Sequence, residues 1–276
     1  MQEFIEVMWA PFTACALLTL IHAYLGFHVV SRGVIFVDLA MAQMAALGST
    51  LGVLVGFSLH SIESFLTAFA MTVFGACLLT AARRFEKQVP VEALIGILYA
   101  VAGGATILAL SSSAEASEEL RSILVGHLLF VSSSELWVML TIYASVGLAH
   151  WYFREGFLSA SRAATCAETS STARASWDFF FYLTLGLVVT SSVEIAGVLL
   201  VFCFLVVPAV CGALLAHSLR SRLIAGWLLS FVAALVGVVL SYVFDLPTGA
   251  TIVCVFGLTT LISLLYAGSR GAQCSP

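Results

Sequence analysis

Charge is what this chain has least of. Of its 276 residues only 9% are Asp, Glu, Lys or Arg and 61% are hydrophobic, whereas a soluble domain carries roughly a quarter charged residues. With a mean hydropathy of +1.10, the deficit excludes a sizeable water-soluble domain. No hydrophilic stretch is long enough for an ATPase or other catalytic domain. The net charge of −4 gives nucleic acid nothing to bind. No Walker loop, HExxH, nucleophile elbow or GxGxxG leading into a helix occurs, so the common enzyme signatures are missing. The seven cysteines form no CxxC pair and five lie inside apolar runs, where a thiol acts as a small hydrophobe. The opening residues MQEFIE are acidic, and a cleavable signal peptide would need a basic start.

What the chain does have is a succession of apolar runs. They predict nine spans over roughly 9–30, 34–57, 62–82, 91–112, 123–153, 177–193, 195–218, 223–244 and 247–268. The fifth is too long for one straight helix and reads as a short apolar segment, the SSSE of Ser132 to Glu135, and a span from Leu136. The sixth is short and ends in the SSVE of Ser191 to Glu194; the count falls to eight if it belongs to one broken element. The expected fold is an all-α integral membrane protein, a polytopic bundle of eight or nine transmembrane helices forming a single domain over residues 1–276.

Cationic residues set the orientation. Arg32, the Arg83/Arg84/Lys87 group, Arg154/Arg162/Arg174, Arg220/Arg222 and Arg270 fall in alternate connections. Arg121, among Glu115, Glu118 and Glu119, is the exception. The positive-inside rule then puts the N-terminus outside and the C-terminus inside. The longest hydrophilic piece, Arg154 to Ser176, is rich in Ala, Ser and Thr. It reads either as a disordered link or as a short helix at the membrane surface, and a surface helix is what a membrane subunit would offer a soluble motor. Within the spans, Gly103-Gly104 permits close helix approach, and Pro208 should kink or locally unwind its helix. Asp245 to Gly249 reads as a turn.

The stretch from Ser31 to Gly56, SRGVIFVDLAMAQMAALGSTLGVLVG, concentrates the interest. Lipid has no use for its carboxylate, Asp38, or its carboxamide, Gln43. Asp38 is either a cation or proton site, or a structural carboxylate paired with Arg32 or capping a neighbouring helix. Gln43 is five residues on, about 500° of helical rotation and so some 140° away, which places the two on different faces. Met41 and Met44 flank Gln43 and suit core packing, as do His22 and His28. Glu135, Glu194 and Asp245 read as solvated boundary residues. Glu92 sits in the first turn after Pro90, where a carboxylate is favoured and where a partner contact is a second reading.

Four segments, in order, carry a resemblance. RGVIFVDLAMAQMAALGSTLG, PVEALIGILYAVAGGATILAL, EIAGVLLVFCFLVVPAVCGALLA and DLPTGATIVCVFG are similar to the membrane subunits of bacterial zinc, manganese and iron ABC importers. The resemblance implies a permease of the type II ABC importer kind, two copies of which line a path for a divalent metal ion. It also implies a separate ABC ATPase subunit, a solute-binding protein outside, no tightly bound cofactor, and a place in the bacterial inner membrane. By the same resemblance Asp38, Gln43 and Met44 lie on the translocation path, with Asp38 and Gln43 toward the metal. Arg154, Arg162, Glu168 and Glu92 would face the ATPase within a coupling region over about 154–176. The family pattern has an Asp followed four residues later by a His. Aligned on Gly48, this chain has Leu39 and Gln43 there, with Asp38 displaced by one residue. A permease for a metal chelate such as haem, a siderophore or cobalamin is the alternative within the same architecture. An ion-coupled carrier or an intramembrane enzyme is the alternative outside it.

Overall fold

A computed structural model of the chain describes residues 2–58, 61–111, 126–165 and 172–273. The described residues form ten α-helices: α1 (Gln2–Arg32), α2 (Val37–Leu54), α3 (Ile62–Ala82), α4 (Val91–Leu110), α5 (Ser133–Tyr152), α6 (Arg154–Thr165), α7 (Thr172–Ala196), α8 (Val198–Leu215), α9 (Leu219–Phe244) and α10 (Thr248–Gln273). Single 3-10 turns occupy Arg83–Phe85 and Leu128–Phe130. Eight helices among the described residues are long and apolar enough to cross a membrane. Nine result if the bent pair α5 and α6, 78° apart, counts as one span.

The apolar faces that water would not tolerate are turned outward. On α10, Leu258, Leu261, Ile262 and Leu265 are each more than half exposed and recur at helical spacing along one stripe. The opposite stripe buries Ile252 and Phe256, whose ring meets Phe204 of α8 edge-on at 5.0 Å. An exposed apolar belt over an apolar core is the pattern expected when hydrocarbon is the solvent.

The chain divides into two compact units, one over residues 1–30, 125–141 and 195–276 and the other over 31–124 and 142–194. In the first, α8, α9 and α10 pack on one another. Of the expected kink or local unwinding at Pro208, the unwinding does not occur: helix α8 runs through it from Val198 to Leu215. The Pro208 carbonyl is approached closely by α9 at Gly226, where a Cβ would lie 2.7 Å from the oxygen. Small residues at such crossings are what bring helices together in lipid. Asp245 ends α9 in the left-handed region (φ 51°), and the Ser241 hydroxyl donates to the Leu246 carbonyl at 2.7 Å, so the anticipated turn forms. In the second unit, α2 packs on both α3 and α4.

One boundary differs from the sequence reading. The sixth span is not short: α7 continues through Ser191 to Glu194 and stops at Gly197 (φ 78°). The serines stay helical because their hydroxyls donate back to the Val188 carbonyl, at 2.9 Å from Ser191 and 2.5 Å from Ser192, which satisfies them without water. Of the two readings offered for the 154–176 stretch, residues 154–165 take the helical one.

Candidate functional site

The densest polar construction lies where the arginine-bearing ends of several helices meet, inside the second unit. Arg32 closes the last turn of α1 and Arg83 caps α3, positions where a cation opposes the negative end of the helix dipole. Both reach one acid, Asp178 of α7. Arg32 Nη1 donates to Asp178 Oδ1, and Arg83 Nε stands 3.1 Å from Asp178 Oδ2 in ionic contact. The N–H groups of Arg83 are aimed elsewhere: Nε and Nη2 donate to the Tyr182 hydroxyl at 3.2 and 3.1 Å. Arg32 Nε donates to Ser161 Oγ of α6 at 3.1 Å, and its guanidinium lies 4.2 Å above the Phe181 ring, a contact strengthened by exclusion of water. All three charged residues are buried. A buried guanidinium or carboxylate costs several kcal/mol unless paired and hydrogen-bonded, and here each is.

Through Ser161 this cluster fixes the elbow helix. Phe157, Ala160 and Ser161 form the buried face of α6 while Arg154 and Glu155 are exposed. His150, in the last turn of α5, stacks on Phe157 with centroids 3.8 Å apart and planes 8° apart. Its Nε2 pairs with Thr184 Oγ1 at 2.9 Å. The Trp177 indole lies flat against Gly156, where a Cβ would overlap it. Beside them Trp151, Tyr152, Phe153 and Arg154 line an open groove of about 460 Å³. Together these contacts form a joint that ties a crosswise helix to the ends of α1 and α7, and through Asp178 to α3.

The membrane-embedded residues singled out by sequence are placed by α2, which is regular from Val37 to Leu54. The 140° divergence of Asp38 and Gln43 therefore stands. Asp38 is 1% exposed and accepts from the Leu39 backbone N–H at 2.8 Å. It is not the partner of Arg32, as one sequence reading held, because Asp178 takes that place. Gln43 turns toward α4, with its Oε1 3.3 Å from where a Gly103 Cβ would sit. The glycine pair noticed in the sequence thus makes room for this carboxamide. Met44 is buried and turns toward α3, its Cγ 3.2 Å from the Cβ that Gly75 lacks. Among the described residues no three His, Cys, Asp or Glu side chains converge as a metal-holding group.

Of the residues expected to face a motor, Arg154 is exposed at the start of α6. Arg162 falls on α6, and its side chain and Glu168 lie outside the described residues. Glu92 turns inward, its Oε1 accepting from the Ile35 N–H at 2.5 Å, and so braces the turn between α1 and α2. Sequence reasoning passed over Asp178. The available signal was a lone acid at the entrance to the apolar run FFFYLTLGLVV, on the side of the chain where arginines gather.

The fold has counterparts. The family model of the ABC 3 transport family matches residues 4–267, and the chain belongs to that family. It is 30% identical over 187 residues to the manganese transport system membrane protein of Listeria monocytogenes, an alignment covering 67% of this chain and 66% of that protein. The alignment thus spans just under two thirds of that relative's length. A protein of the same description from Halalkalibacterium halodurans is 24% identical over 262 residues, covering 94% of this chain and 87% of its own. Among solved structures, a chain of PsaBC from Streptococcus pneumoniae in complex with Fab superposes with a TM-score of 0.75. It covers 95% of this chain and 94% of that one at 20% identity, which establishes the fold as an all-α, multi-pass membrane bundle of that kind.

Proposed function

We propose that this chain is the permease subunit of an ATP-driven ABC importer for a divalent transition metal ion (zinc, manganese or iron). The observation that carries this reading is the family match over residues 4–267, together with relatives described as manganese transport proteins. In this reading two copies of the chain sit in the bacterial cytoplasmic membrane, N-terminus outside and C-terminus inside. A solute-binding protein delivers the ion, and a separate ABC ATPase subunit binds and hydrolyses ATP. The metal is cargo, and no resident cofactor takes part. Helix α2 walls the path with Asp38, Gln43 and Met44. A carboxylate and a carboxamide oxygen are harder donors than an imidazole, a set that suits manganese better than zinc. Arg154, exposed at the start of α6, faces the ATPase, with Arg162 and Glu168 in the same coupling region. Glu92 contributes from behind by holding the α1–α2 turn.

The test is reconstitution. Liposomes holding this chain with its ATPase are expected to take up radioactive manganese only when ATP and the binding protein are supplied. Uptake by the chain alone, driven by an ion gradient, would overturn the reading. Asp38→Asn is expected to lower uptake by about tenfold or more, equivalent to roughly 1.4 kcal/mol, while the ATPase still co-purifies. Unchanged uptake and unchanged metal-stimulated hydrolysis would remove Asp38 from the path.

A further inference from the structure

At the N-terminal end of α5, away from Arg154, the first unit holds a polar pair that the transport path does not use. Gly126 (φ 69°) lies against Ala196 and Gly197, where a Cβ would strike the backbone. The next residue, His127, donates its backbone N–H to the Ile195 carbonyl at 2.9 Å. The imidazole is thereby carried toward the start of α5, which opens with a capping box. The Ser132 N–H and hydroxyl donate to Glu135 Oε2 at 2.7 and 2.6 Å, and the Glu135 N–H donates to Ser132 Oγ at 3.3 Å. The cap consumes one carboxylate oxygen. The other, Oε1, faces His127 Nε2 at 2.9 Å. Both side chains are about one third exposed, 27% and 33%, so an ion can reach them.

We propose that His127 and Glu135 form a weak, exchangeable binding site for a divalent transition metal ion at the N-terminal end of α5. The inference rests on the metal-permease reading for its ligand class. Metal–nitrogen and metal–oxygen bonds of about 2.0–2.2 Å place two ligand atoms roughly 2.8–3.1 Å apart at octahedral angles and roughly 3.3–3.6 Å apart at tetrahedral ones. The observed 2.9 Å already suits the octahedral spacing and needs to open by about 0.4–0.7 Å for the tetrahedral one. That movement leaves Oε2 in the cap, so the carboxylate is already oriented for its ligand role. Imidazole and carboxylate are both accepted by zinc and manganese. Two protein ligands leave the remaining positions to water, which keeps the ion loosely held, as an ion that must move on requires. A helix cap alone would account for Ser132 and Glu135. It does not account for an imidazole brought to the free carboxylate oxygen by a separately anchored backbone.

The experiment is titration of the full chain in detergent with manganese alone, followed by electron paramagnetic resonance, with zinc as competitor. The variants are Glu135→Gln, which keeps the cap acceptor, and His127→Gln, which keeps a polar side chain. Each is expected to weaken this binding at least about tenfold, and His127→Gln to remove the imidazole-nitrogen coupling from the spectrum, with helicity retained. Titrations of both variants that superimpose on the parent overturn the site, as does a fall in thermal stability with metal binding unchanged. If the reconstituted complex imports manganese while the chain binds none at these residues, this site fails and the importer reading stands. If the chain binds manganese here but the complex moves no metal, the importer reading fails and the site stands.

Discussion

Asp178→Ala is expected to be the most damaging single polar substitution in this chain, lowering its stability in detergent by about 3–5 kcal/mol. Removing the carboxylate leaves two buried guanidinium groups, Arg32 and Arg83, without the acid they share. Glu86, 3.6 Å from Arg83 Nη1 and 31% exposed, is too hydrated to replace it. Asp178→Asn should cost less, because the amide oxygen still accepts from Arg32. Arg83→Met should cost least of the three, since it leaves a one-to-one pair and loses mainly the bonds to Tyr182. The measurement is thermal unfolding of the purified variants, with ATP hydrolysis and metal uptake recorded on the assembled complex. Uptake is expected to fall further than hydrolysis, because the elbow helix loses its anchor at Ser161. A parent-like melting curve for Asp178→Ala would show that charge pairing does not hold the joint.

Gly48→Leu is expected to prevent a folded product, at a cost of about 3 kcal/mol or more. A Cβ at Gly48 would lie 2.5 Å from the Thr67 carbonyl oxygen and 2.7 Å from the Ala68 Cα. Both are backbone atoms of α3, so no rotamer change can make room and the helices must part. Gly96, in α4, is the control: nothing lies within 4 Å of its missing Cβ. Gly96→Ala should therefore be neutral or stabilising by up to about 1 kcal/mol from helix propensity. Yield of monodisperse protein and its melting temperature separate the two cases. Equal behaviour of Gly48→Leu and Gly96→Ala would mean that α2 and α3 do not pack as described.

The contrast between these glycines shows what could be read in advance. ALGST and ALIGIL look alike as small residues in apolar runs, and only the neighbouring backbone distinguishes them. The spans themselves were legible, because run length and hydropathy answer directly to membrane thickness. The end of α7 was not, because Ser191 and Ser192 resemble a polar boundary until their hydroxyls are seen bonded to the Val188 carbonyl. Asp38 and Gln43 drew attention by sitting in the middle of an apolar run. Asp178 escaped because it stands at the edge of one, and its partner Arg32 lies 146 residues earlier. The capping box before α5 was written plainly in SSSE, yet nothing local announced that His127 would be brought to its carboxylate.

The 78° bend between α5 and α6 has a mechanical consequence. A twelve-residue helix is about 18 Å long at 1.5 Å per residue, and Ser161 pins α6 some 10 Å from the bend and about 6 Å from Thr165. With Phe157 stacked on His150 and Gly156 against Trp177, α6 is held beside the bend as well as by the Arg32–Ser161 hydrogen bond, so a push on its Thr165 end would be passed to α5 and α7 together rather than taken up by bending at the elbow.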